Sequence, residues 1–96
     1  MSAYCIWDNV EVRDPARLEE YKAAVAPIVE KYGGRYVAVG GRFDVVEGSW
    51  PLTYPVIIEF PSLAAAHRWY DSDEYAPWKA LRLEASTANA VFIEGL

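Results

Sequence analysis

The stretch "GGRYVAVGGRFDVVEG", residues 33–48, contains the pattern Gly-Gly-Arg-aromatic twice, and its interpretation decides the fold. Glycine pairs can form phosphate-binding loops, but such loops lead into a helix whose N-terminus faces the anion. Residues 35–39 and 43–47 are instead rich in β-branched and aromatic residues, which are typical of strands. The stretch therefore argues against a nucleotide-binding loop and for β-structure.

The glycine pair Gly40-Gly41 at the centre of this stretch is compatible with two β-structures. One is a two-residue hairpin, because paired glycines suit turns with positive φ. The other is a single long strand that bends there, because the missing side chains permit a bulge or the close approach of another backbone. We prefer the bent strand.

The residues before this stretch predict a strand and a helix. The alternation of residues 4–12 is broken at Asp8, and a β-bulge near Asp8-Asn9 would restore it. Asp14 and Pro15 then suit a helix start and Gly33 its end, while Pro27 predicts a kink or a restart. The bulge would place Cys5, Trp7, Val10 and Val12 on one face of the strand and Tyr4, Ile6 and Asp8 on the other. The apolar stripe of the helix would be Leu18, Tyr21, Val25, Ile28 and Tyr32.

The residues after the stretch predict a strand, two helical segments and a final strand. "YPVIIEFP", residues 54–61, alternates with Val56, Ile58 and Phe60 on one face. Ser62 and Ser72 are positioned as helix caps, and Pro77 should separate a first turn from the second helix. The apolar stripe of that helix is Trp78, Leu81 and Ala85, and "NAVFIEG", residues 89–95, closes the chain as a strand.

The resulting order β, α, β, β, α, β predicts an α+β domain with the ferredoxin-like βαββαβ arrangement and a bent second strand. Both helical regions then cover one face of an antiparallel sheet. The other face carries Ile57 with either Tyr4 and Ile6 or Cys5 and Trp7, and no helix remains to cover it. A chain of 96 residues buries only roughly 60–70 % of its unfolded surface, so a second subunit would add stability.

Composition excludes several classes of protein. The net charge of −5 opposes binding to nucleic acid, and the third strand lacks the basic residue and spaced aromatics of an RNA-recognition motif. No apolar run approaches a membrane span and no basic leader precedes one, so we expect a cytoplasmic protein. The only cysteine, Cys5, has no intrachain partner, and with one histidine in the chain we expect neither a metal nor a cofactor.

The chain also resembles a known family. The segments "DP", "EEY", "YGGR", "IEFPSLAAA", "WYDSDEY" and the terminal "IEG" together are similar to the domain of unknown function 1330 family, over nearly the whole chain. The resemblance implies a single domain, residues 1–96, of the dimeric α/β-barrel superfamily, in which two ferredoxin-like sheets meet face to face in a homodimer. It implies no catalytic residues, because the family has no established reaction.

Two residues are candidates for acid–base chemistry. His67 is the only imidazole and shares a helix face with Leu63 and Tyr70, so it could act as a general base towards a pocket; a solvated helix surface is the alternative. Glu59 lies on the strand face that a shared barrel would enclose, which could raise its pKa for catalysis. An ion pair of Glu59 with Arg35 or Arg42 is the alternative.

Four residues are candidates for substrate binding. Arg82 could hold a substrate carboxylate through its planar fork, although surface solvation would also explain it. Tyr70 and Trp78 belong to an aromatic cluster that could form the wall of a ligand pocket or pack in the core. Asp8, like Glu59, could be a functional carboxylate inside a shared barrel or a structural one, and its face depends on the bulge. A pocket inside a shared barrel and a pocket between the sheet and its helices are both compatible with these residues.

These observations predict a homodimer that binds a small molecule. Relatives on the same fold include cofactor-independent monooxygenases, isomerases and cyclases that act on small aromatic or carboxylate compounds, and this analogy suggests an enzyme. A non-catalytic binding or sensor module is the alternative, because no combination of acid, base and nucleophile is visible in the sequence.

Overall fold

The structure, a computed structural model, describes residues 1–96 and contains one antiparallel sheet with helices packed on one face. The four strands lie in the order β2-β3-β1-β4. This confirms the ferredoxin-like βαββαβ arrangement, with the second helical region divided in two. The elements are β1 (Ala3–Val12), α1 (Pro15–Lys31), β2 (Arg35–Val39), β3 (Pro55–Phe60), α2 (Leu63–Tyr70), α3 (Ala76–Ala85) and β4 (Ser86–Glu94).

The helix boundaries follow local capping signals. The side chain of Asp14 accepts a hydrogen bond from the Arg17 N–H at 3.2 Å, and Ser62 accepts one from the Ala65 N–H at 3.0 Å. Pro27 is exposed and α1 runs through it without a break, so the predicted restart is wrong. A proline on the solvent side removes one backbone hydrogen bond without displacing a packed side chain. None of the helices combines the length and apolar composition that a membrane crossing requires.

β1 contains the predicted bulge. Its register with β4 shifts between Asn9 and Glu11, so the extra residue is Val10, which is half exposed and does not join Cys5 and Trp7 as predicted. The side chains of Ala3, Cys5 and Trp7 are buried under the helices, and those of Tyr4, Ile6 and Asp8 lie on the other face.

The core forms where the helices meet the sheet around the Trp69 ring. Trp69 lies 4.3 Å from the Tyr75 ring, 5.5 Å from Phe60 and 5.7 Å from Trp7, measured between ring centroids. Such aromatic contacts add to the free energy that is gained by removing the rings from water. The remaining core residues are Cys5, Val25, Val29, Ile58, Ala65 and Ala66.

The second half of the predicted bent strand is not a strand within this chain. β2 ends at Val39, Gly40 adopts φ +58°, and residues 41–52 are irregular. A strand needs a neighbour for its backbone hydrogen bonds, and none is available to residues 43–47 in the same chain. Large apolar side chains in this segment are consequently exposed: Phe43, Val45, Val46 and Trp50.

The sheet face opposite the helices is uncovered. Register places Tyr4, Ile6, Ile57, Val91 and Ile93 side by side on it. Val91 and Ile93 are more than half exposed. We call this surface the open face; exposed apolar patches of this kind are typical of protein interfaces.

Arg13 fixes the C-terminal end of α3 against the start of β4. Its guanidinium donates hydrogen bonds to the carbonyl oxygens of Leu83, Glu84 and Ser86 at 3.0–3.1 Å, and to Thr87 Oγ1 at 2.6 Å. Carbonyl groups at a helix end lack intrahelical partners and favour cations. The contact sets the position of the last turns of α3, which carry Arg82.

Candidate functional site

A cavity of about 70 Å³ lies between the sheet and the helices. One ordered water needs only ~10–15 Å³ on the same measure, so the space accommodates a small molecule. Its walls come from β1, β2, β3, all three helices and the residue before β3. The lining residues are Trp7, Asn9, Leu18, Tyr21, Lys22, Tyr36, Val39, Tyr54, Val56, Ile58, Trp69 and Arg82.

The cavity has a buried floor and an exposed mouth. Ile58, Trp69 and Arg82 are buried, whereas Lys22 and Val39 are exposed. At the mouth the Lys22 Nζ lies 4.7 Å from the centroid of the Tyr54 ring, within range of a cation–π interaction. A ligand would therefore enter past an ammonium group and an aromatic ring and end against the floor.

Arg82 is the polar group of the floor, and it lacks a countercharge. Arg82 is only 7 % exposed, so the expectation of a solvated surface position is wrong. Nε donates to the Tyr75 hydroxyl at 3.3 Å, the terminal nitrogens donate to no protein atom, and no ion pair forms. Buried cations are normally paired, so this guanidinium is available to an anion.

Tyrosines surround the guanidinium as neutral hydrogen-bond donors. The Tyr21 and Tyr75 hydroxyls are 2.7 Å apart, and burial raises the pKa of both phenols. Burial also raises the pKa of Tyr36 to about 12. These phenols consequently keep their protons at neutral pH and can donate to a ligand.

Two indole N–H groups next to the cavity have no acceptor. Nε1 of Trp7 and Nε1 of Trp69 are buried without a hydrogen-bond partner, and both residues line the cavity. Leaving a buried donor unsatisfied costs about 1–3 kcal/mol, so such groups need an explanation. Both nitrogens are closed off from the cavity space, so a ligand there would reach them only after a movement of the rings.

The charged side chains that line the cavity are both cationic. Arg82 and Lys22 supply positive charge, and the other polar side chains are Asn9, tyrosines and tryptophans. No carboxylate, imidazole or thiol lines it. Nowhere in the chain do three metal-ligating side chains come together.

His67 and Tyr70 lie in a second, more open groove. Both line the space between α2 and β4, where the His67 ring is 5.1 Å from the Phe92 ring and the Tyr70 ring is 5.6 Å from it. His67 is exposed and Tyr70 is half-buried. Neither residue lines the cavity that contains Arg82.

Glu59 lies on the open face, across the sheet from His67. Arg35 Nε donates to one carboxylate oxygen at 2.7 Å and the Tyr4 hydroxyl donates to the other at 3.1 Å. These bonds, that from Arg35 above all, lower the pKa of Glu59, whereas catalysis would have required a raised pKa. The alternative of an ion pair with Arg35 is confirmed.

Asp8 also lies on the open face, and it holds the segment that leads into β3. Its Oδ1 accepts hydrogen bonds from the Thr53 N–H and the Tyr54 N–H, both at 2.9 Å, and from the Thr53 hydroxyl at 3.2 Å. Burial by itself raises the pKa of Asp8, but these bonds outweigh it and leave the pKa below its ordinary value. Asp8 thereby fixes Tyr54 at the cavity mouth from the opposite side of the sheet.

The structure therefore distributes the predicted site residues over three places: His67 and Tyr70 share the groove, Glu59 and Asp8 lie on the open face, and Arg82 lies in the cavity. Only Arg82 lines the cavity, and Trp78 packs against the core from α3. The residues that sequence reasoning did not assign to a site include Tyr21, Tyr36 and Lys22. Tyr21 was visible only as a member of an apolar helix stripe, a pattern that core packing explains equally well.

Comparisons with known proteins agree with this fold. A protein of unknown function from Rhodopseudomonas palustris superposes with a TM-score of 0.77 at 18 % identity, covering 99 % of this chain and 82 % of its own. SnoaB, a cofactor-independent oxygenase from Streptomyces nogalater, gives 0.71 at 16 % identity and coverages of 99 % and 93 %. A dimeric protein of unknown function and ferredoxin-like fold from Bacteroides fragilis gives 0.66 at 16 % identity and coverages of 98 % and 96 %.

At these sequence identities the similarity shows a shared fold and assigns no activity to this chain. No curated protein matches the chain. A family model does match, over residues 2–96, and it describes a domain of unknown function, DUF1330. The chain therefore belongs to the DUF1330 family.

Proposed function

We propose that this protein is a homodimer that binds a small aromatic or carboxylate compound in the cavity between its sheet and helices. The observation that carries the proposal is the buried, unpaired guanidinium of Arg82 at the floor of an aromatic cavity. Ligand pockets are commonly apolar with a few polar groups that fix orientation, and this cavity has that composition.

The dimer would cover the open face. A monomer leaves Ile6, Ile57, Val91 and Ile93 in contact with water, and apolar surface gains about 25 cal/mol per Å² when it is buried. A second copy of the chain presents the same apolar surface, which suits a two-fold interface. Dimeric structural neighbours with a ferredoxin-like fold support this part of the proposal.

The ligand would place its ring among the aromatic walls and its acidic group against Arg82. The terminal nitrogens of Arg82 can donate two parallel hydrogen bonds to a carboxylate, a geometry that lysine cannot provide. Such a contact would supply the countercharge that the fold does not.

Calorimetric titration with 2-naphthoate tests the position of the site. V56W fills the cavity from β3, whereas L83W places the same indole on the exposed surface of α3. We expect V56W to abolish binding and L83W to retain it. Unchanged affinity in a folded V56W protein would place the ligand elsewhere and contradict the proposal.

A cofactor-independent enzyme is a second candidate function, favoured by the likeness to SnoaB. A non-catalytic binding or sensor module is the alternative. The catalytic roles of His67 and Glu59 stay predictions, since neither residue lines the cavity. Turnover of a bound aromatic acid, followed by its absorbance and by oxygen uptake, separates the two candidates. H67N and E59Q then test the two residues, because loss of turnover with retained binding would assign them to catalysis.

A further inference from the structure

The proposed function does not say whether the ligand loses its proton in water or inside the cavity. We infer that the ligand enters as an anion that is already formed: an aromatic carboxylate, or a phenol or enol acidic enough to be ionised in water. This inference rests on the proposed function and goes further, because it excludes compounds that the protein would have to deprotonate.

The first argument is the distribution of charge. The chain has 14 acidic and 9 basic residues, so a cavity wall chosen at random would be more acidic than basic. The lining contains Arg82 and Lys22 and no acidic residue at all. Lys22 is paired with Glu19 at the mouth, so the unpaired charge of the cavity is the guanidinium of Arg82. This charge is opposite in sign to that of the whole protein, and low-dielectric walls strengthen its attraction for an anion.

The second argument is the absence of a base. The titratable groups that face Arg82 from the surrounding elements are phenols, apart from Lys22 at the mouth. Lys22 lies at the exposed mouth, where its Nζ is 3.3 Å from Glu19 and forms an ion pair with it. Phenols that keep their protons can donate hydrogen bonds to a ligand but cannot remove a proton from it. The groups concerned are Tyr21 and Lys22 from α1, Tyr36 from β2, Tyr54 before β3, Tyr70 from α2 and Tyr75 before α3.

The third argument is the shape of the donor set. Arg82 offers a planar fork, because its terminal nitrogens bond to no protein atom. The phenols of Tyr21 and Tyr36 line the same cavity and add O–H donors. A charge spread over two or more coplanar oxygens can accept from several of these donors at once. Carboxylates and the conjugate bases of acidic phenols and enols share this property.

A series of phenols that differ in acidity tests the inference on the wild-type protein. Dissociation constants of 4-nitrophenol, 4-cyanophenol and 4-methylphenol are measured by calorimetry across a range of pH, with 4-nitroanisole as the neutral analogue. We expect the pH at which affinity rises to move with the acidity of each phenol. We expect 4-nitroanisole to bind roughly 10- to 100-fold more weakly than 4-nitrophenolate, with no such rise.

Two variants assign the charge preference to the floor of the cavity. R82M should bring the affinity for 4-nitrophenolate close to that for 4-nitroanisole. K79M removes a cation from the same helix outside the cavity and should leave the ratio unchanged. If R82M fails to fold, the wild-type pH series still decides the question.

The outcomes distinguish this inference from the proposed function. A common midpoint for all phenols, or equal binding of 4-nitroanisole and 4-nitrophenolate, would overturn the inference while the cavity remained a binding site. If neither 2-naphthoate nor any of the phenols binds, the proposed function fails together with it.

Discussion

Replacing Arg82 by methionine should make the ligand-free protein more stable. Burying an unpaired ion costs several kcal/mol in real proteins, and Arg82 is 7 % exposed without an ion pair. Two effects reduce the gain. The terminal nitrogens face a cavity, where water can reach them, and one hydrogen bond to Tyr75 is lost at about 1 kcal/mol. Tyr75 keeps Tyr21 as a partner, so R82M leaves no orphaned hydroxyl.

The net stabilisation should be about 1 kcal/mol, which corresponds to a rise in Tm of about 4–8 °C for a domain of this size. Thermal denaturation followed by circular dichroism measures it, at one fixed protein concentration because a dimer's stability depends on concentration. The matched control is R13M, which removes four hydrogen bonds at the end of α3 and should lower Tm. If R82M melted several degrees below the wild type, Arg82 would be a structural residue and the functional argument would lose its basis.

Three further predictions follow from the same structure. I57E places a charge on the open face and should give monomers in sedimentation, whereas L83E on the exposed side of α3 should not. The pKa of Asp8 is lower in the folded protein than in the unfolded one, so its contribution to stability is complete above about pH 4 and is lost as the pH falls through the folded value. The difference in Tm between wild type and D8N should accordingly shrink in acid; a constant difference would contradict it. G40A should destabilise the protein by about 1–2 kcal/mol because Gly40 has a positive φ, and the added methyl group would also collide with the Tyr54 ring. G41A adds a methyl group in open space and is the near-neutral control in the same denaturation assay.

The helices and their order could be predicted because their signals are local. Asp14 and Ser62 cap helices through hydrogen bonds that span three residues, and the stripe around Val25 follows from the period of the helix. Alternation in β3 separated Ile58 and Phe60 from Ile57 and thereby showed that one sheet face lacks a cover.

The strand state of residues 43–47 could not be predicted from propensity. Their composition favours β-structure, but a strand forms only where another backbone pairs with it. The same chain offers no such neighbour beyond Gly40, so the segment is irregular and exposed.

The sequence alone determined the βαββαβ order, the helix caps and the uncovered apolar face, since each depends on residues a few positions apart. Tertiary structure alone decided which of the candidate residues meet. The sequence marked His67 and Glu59 as candidates for catalysis and Arg82 as a candidate for substrate binding, and packing places them in a groove, on the open face and in a cavity. The cavity is formed by six elements and one loop residue that are distant in the chain, and its volume depends on how side chains from all of them fit together. No local pattern encodes such a fit, which is why the buried charge of Arg82 became apparent only in the folded protein.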